Sequence, residues 1–289
     1  PTGTLEPGAP LAPPEGDAGT GMAATNSVRA RTGNVSAGTS MFAMVVLEKP
    51  LSKVYPEIDM VATPDGKPVA MVHVNTCTSD LDAWVKVFAQ LLEAAGANLT
   101  KAQLYDMLYF QALEGDADCG GLVSYNCYSG EPVTGLEEGR PLLVRQPENK
   151  LTLPNFMRAQ LYAAMATLQI GMELLWAEDV QVEKLYGHGG LFKTKGVGQR
   201  LLAGALGVPV AVMETAGEGG PWGMALLAAY RKNRAQGETL PQYLEQRVFA
   251  GAAGDCVEPN PADREGFQRY IARYRAGLAV EKEAGKALQ

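Results

Sequence analysis

Very little in this sequence can hold a metal. Two histidines, His73 and His188, and four cysteines, Cys77, Cys119, Cys127 and Cys256, are scattered over 289 residues. No CxxC pair occurs, and no histidine stands at ligand spacing from a cysteine. That excludes the common zinc motifs and a disulfide framework. The thiols read as free groups in a reducing cytoplasm. No run of about 18 or more apolar residues exists, so no membrane helix is expected. No charged stretch leads into an apolar one, so no secretion signal is expected either. A surplus of basic charge is also missing. The formal net charge of −7 argues against nucleic acid or an anionic membrane as partner. A local anion site survives that argument, because backbone N–H groups bind phosphate without a basic patch.

What is present is an ordinary globular composition, 46% hydrophobic and 20% charged. The length suits one large domain or two small ones. The opening stretch holds Gly3, Pro7, Gly8, Pro10, Pro13 and Pro14 and reads as a linker over 1–13 that enters from an upstream domain. Residues 17–28 suggest a short helix with Asp17 at its N-cap. A turn at Thr32-Gly33-Asn34 precedes a Val- and Met-rich hairpin, Val35 to Leu47, with Gly38 near its bend. Residues 69–74 read as a strand. From Ser79 the period changes: Leu81, Trp84, Val85, Phe88, Leu91 and Leu92 fall three and four apart, as on a helix face. A helix over 100–113 with Thr100 as its cap follows, and then a loop-rich stretch with a strand near 122–125. The second half alternates helix 155–177, strand 182–186, helix 196–206 closed by Gly207, strand 208–213 and helix 220–234. This order requires parallel strands and right-handed crossovers. A last helix over 261–278 carries Phe267, Tyr270, Ile271 and Tyr274, and the polar tail over 278–289 is expected to fray. The whole predicts an α/β fold with a mixed sheet flanked by helices.

Three loops have the chemistry to handle a nucleotide. Gly33 to Ser40 imitates a P-loop in its glycines and hydroxyls, but Thr39 stands where the lysine belongs and a strand follows in place of a helix. A hairpin bend can still offer N–H and hydroxyl donors to a phosphate. Gly187-His188-Gly189-Gly190 sits between a strand and a helix, at the strand end where open α/β sheets bind ligands. Gly16-Asp17-Ala18-Gly19-Thr20-Gly21 surrounds one carboxylate with small residues, so an attacking hydroxyl could reach it. Taken singly, the three are equally a tight turn, a βα turn and a helix cap. The glycines at 16, 19 and 21 do not have dinucleotide-fold spacing.

In this order the loops resemble those of the FGGY carbohydrate kinases, the family of xylulokinase and glycerol kinase, and the similarity runs from about Pro14 to Tyr274. GDAGTGM at 16–22 resembles the family's Gly-Asp motif, and GNVSAGTSMF at 33–42 its phosphate loop. YSGEP at 128–132 is similar to its Gly-Glu segment, YGHGG at 186–190 to its adenosine loop, and ETAGEGGPWGMALLAAY at 214–230 to its closing motif. The departures are Pro13-Pro14-Glu15 where an apolar strand is usual, His188 at a position that is often Gly, and Lys193 and Lys195 in place of small or polar residues.

The resemblance implies an actin-like, ribonuclease H-like ATPase domain over 14–277, the C-terminal half of a sugar kinase. It implies Asp17 as catalytic base, Gly38, Thr39 and Ser40 as phosphate-binding residues, and Gly187, His188, Gly189 and Gly190 as adenosine-binding residues. ATP with Mg2+ and a sugar or polyol are the implied ligands. The implied partner is an N-terminal kinase domain that supplies most sugar contacts, without which the chain is expected to be inactive. A homodimer is compatible with this reading. The alternative is a non-catalytic actin-like module for nucleotide binding or assembly, which would not need Asp17.

Overall fold

The computed structural model describes residues 8, 11–217, 219–252 and 254–288. Most of the expected 1–13 linker lies outside these residues, as does Glu218 in the 214–230 stretch. The chain opens with helix α1 (Asp17–Ala24), the hairpin β1 (Thr32–Ala37) and β2 (Met41–Val46), and a second antiparallel pair, β3 (Ile58–Ala62) and β4 (Pro68–Val74). Helices α2 (Ser79–Ala94) and α3 (Lys101–Leu113) follow, then a small sheet of β5 (Val123–Tyr125) and β6 (Leu142–Val144). The second half comprises α4 (Leu153–Ala177), β7 (Lys184–Gly189), α5 (Val197–Leu206), β8 (Val210–Val212) and α6 (Gly219–Asn233). It ends with α7 (Leu240–Tyr243), β9 (Asp255–Val257) and α8 (Pro261–Ala287).

Among the described residues, seven strands form one sheet in the order β3-β4-β2-β1-β7-β8-β9. The first four pair antiparallel. β7 joins β1 in parallel, β8 joins β7 in parallel, and β9 closes the edge antiparallel. The central strands are buried on both faces. In β2, Ala43 and Val45 enter a large core shared with α4 and α5. Met44 and Val46 enter a smaller core shared with Met22 of α1 and Leu226 of α6. Burial on both sides is why MFAMVV has no polar alternation. Helix α4 is set by Thr152, whose hydroxyl accepts from Asn155 N–H (3.3 Å), and by Pro154 in its first turn. A buried ion cluster ties three helices together. Asp263 at the start of α8 accepts from Arg158 of α4 (2.5 Å) and Arg200 of α5 (2.6 Å).

The structure revises several expectations. Thr32-Gly33-Asn34 is strand, not turn: a Cβ on Gly33 would run into the Met44 carbonyl, so glycine there allows close pairing. The turn lies just before, at Arg31, which takes a left-handed φ of 64°. Gly16, not Asp17, is the N-cap of α1. The last helix does not fray after Gly277 but continues to Ala287, since buried Glu281 accepts the Arg140 N–H (2.7 Å). Strands β3, β6 and β9 and helix α7 were not anticipated.

Candidate nucleotide site

The β1–β2 bend is made by Gly38, Thr39 and Ser40. Ala37 faces Met41 across the hairpin, and Gly38 N–H donates to Ser40 O (2.9 Å). That bond turns the Gly38 donor inward. Among the described residues, the N–H groups and hydroxyls of Thr39 and Ser40 have no protein partner. They are therefore the donors left for an anion. The back of the bend is pinned by the start of α2. Cys77 N–H donates to Thr39 O (2.8 Å), and Thr78 donates to Gly38 O through both its N–H (3.2 Å) and its hydroxyl (3.0 Å). A Cβ on Gly38 would meet nothing within 4 Å, so the space above it is open.

Strand β7 delivers the second loop beside the first. Ser36 pairs with His188 and Ala37 with Gly189, which brings residues some 150 positions apart to the same end of the sheet. The glycines there differ in what they do. Gly189 has φ 99°, and a Cβ on it would strike Ala37 O. At Gly187 a Cβ would stand 2.6 Å from the Phe192 ring, whereas at Gly190 it would lie 3.8 Å from Ala37 O, an ordinary contact.

Beyond Gly190 opens a cavity of about 560 Å3, also lined by Thr78, Asp82, Tyr105, Lys193 and Thr194. Thr78 both lines this cavity and holds the hairpin bend. Tyr105 OH donates to Asp82 (2.5 Å) and Thr194 OH to Asp106 (2.7 Å). Burial, then the Asp82 bond, pushes the Tyr105 phenol up. Of the four residues at 187–190, Gly190 lines the cavity. His188 does not. Its ring lies on the other face of the sheet, where Nε2 hydrogen-bonds Asn34 Nδ2 (3.2 Å). Burial holds its pKa below the usual imidazole value, which favours the neutral ring. The cavity residues on α2 and α3 were missed from sequence. Only the position of Thr78 just ahead of an amphipathic helix gave a hint.

Helix α1 lies over the same edge on the His188 face. A Cβ at Gly21 would fall 3.7 Å from Asn34 Nδ2 and 4.0 Å from His188 Nε2. Gly223 of α6 packs against the Thr20 carbonyl. Met22 and Ala23 join the core that holds Met44 and Val46. Asp17 stands one turn before Gly21 on the same side, about 6 Å along the axis. It is exposed, and its Oδ1 accepts from Ala18 N–H (2.9 Å).

The sheet order, with α1 and α6 on one face and α4 and α5 on the other, is that of an actin-like, ribonuclease H-like ATPase domain. Within that class, the chain matches the FGGY family of carbohydrate kinases, C-terminal domain, over residues 33–231, and it belongs to that family. Solved structures agree in fold. Xylulose kinase from Rhodospirillum rubrum superposes with a TM-score of 0.72 at 17% identity, covering 90% of this chain and 49% of that one. Gluconate kinase from Lactobacillus acidophilus gives 0.70 at 18%, covering 93% and 51%. Plasmodium falciparum glycerol kinase with ADP gives 0.68 at 14%, covering 92% and 50%. The chain thus spans about half the length of these enzymes. No curated protein sequence matches it. Among the described residues no helix is long and apolar enough to cross a membrane.

Proposed function

We propose that this chain is the nucleotide-binding half of an ATP-dependent carbohydrate kinase. One observation carries the reading: the β1–β7 register pairs Ala37, the residue before the bend, with Gly189, the residue before Gly190 of the cavity lining. The adenosine would lie in the cavity against Gly190. The phosphates would cross Gly189 to reach Gly38, Thr39 and Ser40. Gly187 and Gly189 act by letting the β7 backbone pack closely, and His188 with Asn34 supports α1 from below.

In the proposed reaction a sugar or polyol hydroxyl attacks the γ-phosphorus in line. The new O–P bond forms as the bond to the β–γ bridging oxygen breaks, ADP leaves, and the hydroxyl proton passes to the Asp17 carboxylate. Thr39 and Ser40 donors aimed at the migrating phosphoryl group stabilise its charge, the main source of catalysis in such transfers. Among the described residues no cluster of three or more His, Cys, Asp or Glu is placed to hold a metal. A magnesium ion would therefore take most of its ligands from phosphate oxygens and water, as is usual for this ion. Most contacts to the acceptor fall to the other half of the enzyme.

The test is Asp17→Asn in the complete enzyme. Loss of general-base catalysis lowers turnover by about 10²–10⁴-fold, while affinity for MgADP stays at the wild-type value. Turnover within a few-fold of wild type would remove Asp17 from the mechanism, whereas a complete wild-type protein that binds MgADP but phosphorylates no sugar or polyol would favour a binding or assembly module.

A further inference from the structure

Glu131 is a buried carboxylate that the proposed chemistry does not use. It is 1% exposed. Its Oε2 accepts the Asn75 N–H (2.8 Å), and its Oε1 has no partner among the described residues. Buried polar groups of this kind are costly and call for an explanation. The explanation lies in what Asn75 begins. The linker from Asn75 to Thr78 leads from β4 into α2, and it is gripped along its length by the loop that carries Glu131. Asn75 Nδ2 donates to Gly130 O (2.7 Å). Buried Asn126 donates to Cys77 O (2.9 Å) and Thr76 O (3.4 Å). Tyr128 N–H donates to Thr76 Oγ1 (3.4 Å). The other side of the same linker holds the hairpin bend through Cys77 and Thr78. The covalent linker thus carries hydrogen bonds to Glu131 and Asn126 on one side and to the carbonyls of Gly38 and Thr39 on the other.

We propose that Glu131 is a positioning residue: with Asn126 it clamps the 75–78 linker and so fixes where Thr39 and Ser40 present their donors. The functional half of this rests on the hairpin being the phosphate site. The mechanical half does not. A hairpin bend has few contacts of its own, and this one opens onto free space. Its placement must come from behind, and the linker is the segment bonded to it there. The Asn75 N–H bond is the one by which this carboxylate reaches across to the linker. Burial with no compensating cation brings the acid up to about 7. The ionisable groups that sense it are buried Cys127 on the same loop and Tyr274 on α8.

The experiment is hydrogen exchange and amide NMR on this chain without ligand, comparing wild type, Glu131→Ala, Glu131→Gln and Asn75→Ala. Glu131→Ala should shift the Thr39 and Ser40 amide resonances. It should also speed exchange of the Cys77 and Thr78 N–H groups about tenfold or more, the scale of one lost charge-assisted bond. Glu131→Gln keeps an acceptor for Asn75 and should restore both. Asn75→Ala removes an exposed side chain, leaves no core cavity, and should loosen the same joint even if Glu131→Ala fails to fold. Wild-type shifts and exchange in Asn75→Ala and in a folded Glu131→Ala would overturn the clamp. MgADP titration separates the two halves. A displaced hairpin with undiminished MgADP affinity would overturn the functional half. Absence of MgADP binding by the wild-type chain and by the complete enzyme alike would instead count against the nucleotide site.

Discussion

Gly189 and Gly190 are neighbours in sequence, yet the structure predicts opposite consequences for substituting them. Alanine at 189 must adopt φ 99° and ψ −173°, an essentially glycine-only conformation that costs about 1–3 kcal/mol for an L-residue. Its Cβ must also displace the Ala37 carbonyl, an overpacking cost of about 1–3 kcal/mol. Restricting the unfolded chain returns about 0.4–1 kcal/mol. The net loss is about 1–6 kcal/mol, or a fall in Tm from a few degrees to about 20 °C. Because Ala37 leads directly into the bend, the damage falls on the β1–β2 hairpin. At Gly190 φ is outside the left-handed region and the added Cβ makes an ordinary 3.8 Å contact. Gly190→Ala should leave stability within about 1 kcal/mol of wild type. The pair can be read by calorimetric melting and then by titration with MgADP. Gly190→Glu adds the decisive arm. It should melt near the wild-type temperature and lose nucleotide binding, since it sets a carboxylate at the mouth of the cavity. Equal destabilisation at both positions would refute the strand-crowding argument. Unchanged MgADP affinity in Gly190→Glu would refute the cavity as the adenosine slot.

Other perturbations test other links. Asp263→Ala strands Arg158, whose side chain is 2% exposed, as an unpaired buried cation. About 3–5 kcal/mol should be lost in denaturant unfolding, and recovery of wild-type stability would show that Arg158 finds another partner. The titration of Glu131 makes stability depend on pH. Its acid is raised from the ordinary 4.5 to about 7 by burial, so between those values the native state binds a proton that the unfolded chain does not. This contribution is full below about pH 4.5 and is lost as pH rises through 7, on the order of 3 kcal/mol in all. Glu131→Gln should therefore gain stability relative to wild type as pH rises from 5 to 8, and a constant difference across that range would contradict the assignment.

The parts of this fold that were legible in the sequence are those whose stabilisation is local or periodic. The capping box of Thr100 with Gln103 and the left-handed Gly207 that ends α5 act within a few residues. The apolar face of α4 recurs along 25 residues. Strand β3 has neither signal. It is an edge strand exposed at Asp59, Met60, Val61 and Ala62, so nothing but its hydrogen bonds to β4 marks it. The Gly33-Asn34 pair misled for a definite reason. Glycine serves turns through its freedom at positive φ and serves strands by letting a neighbouring backbone come close. Only the carbonyl of Met44, eleven residues on, decides between the two.

The same distinction governs the site. Each of its loops is short and taken alone is ambiguous, because a bend with glycine and hydroxyls has the same local composition whether or not an anion sits on it. What joins the loops is the parallel pairing of β1 with β7. That pairing aligns Ala37 with Gly189 and puts both loops at the same end of the sheet. Parallel neighbours must be joined by a crossover, so the partner of β1 lies beyond helices α2, α3 and α4 and 146 residues of chain, between Ala37 and Lys184. Local sequence cannot show such a register. It can show the glycine that the register requires, and the Cβ-to-carbonyl clash at Gly189 is therefore the most direct link from one residue of this chain to the geometry of the whole site.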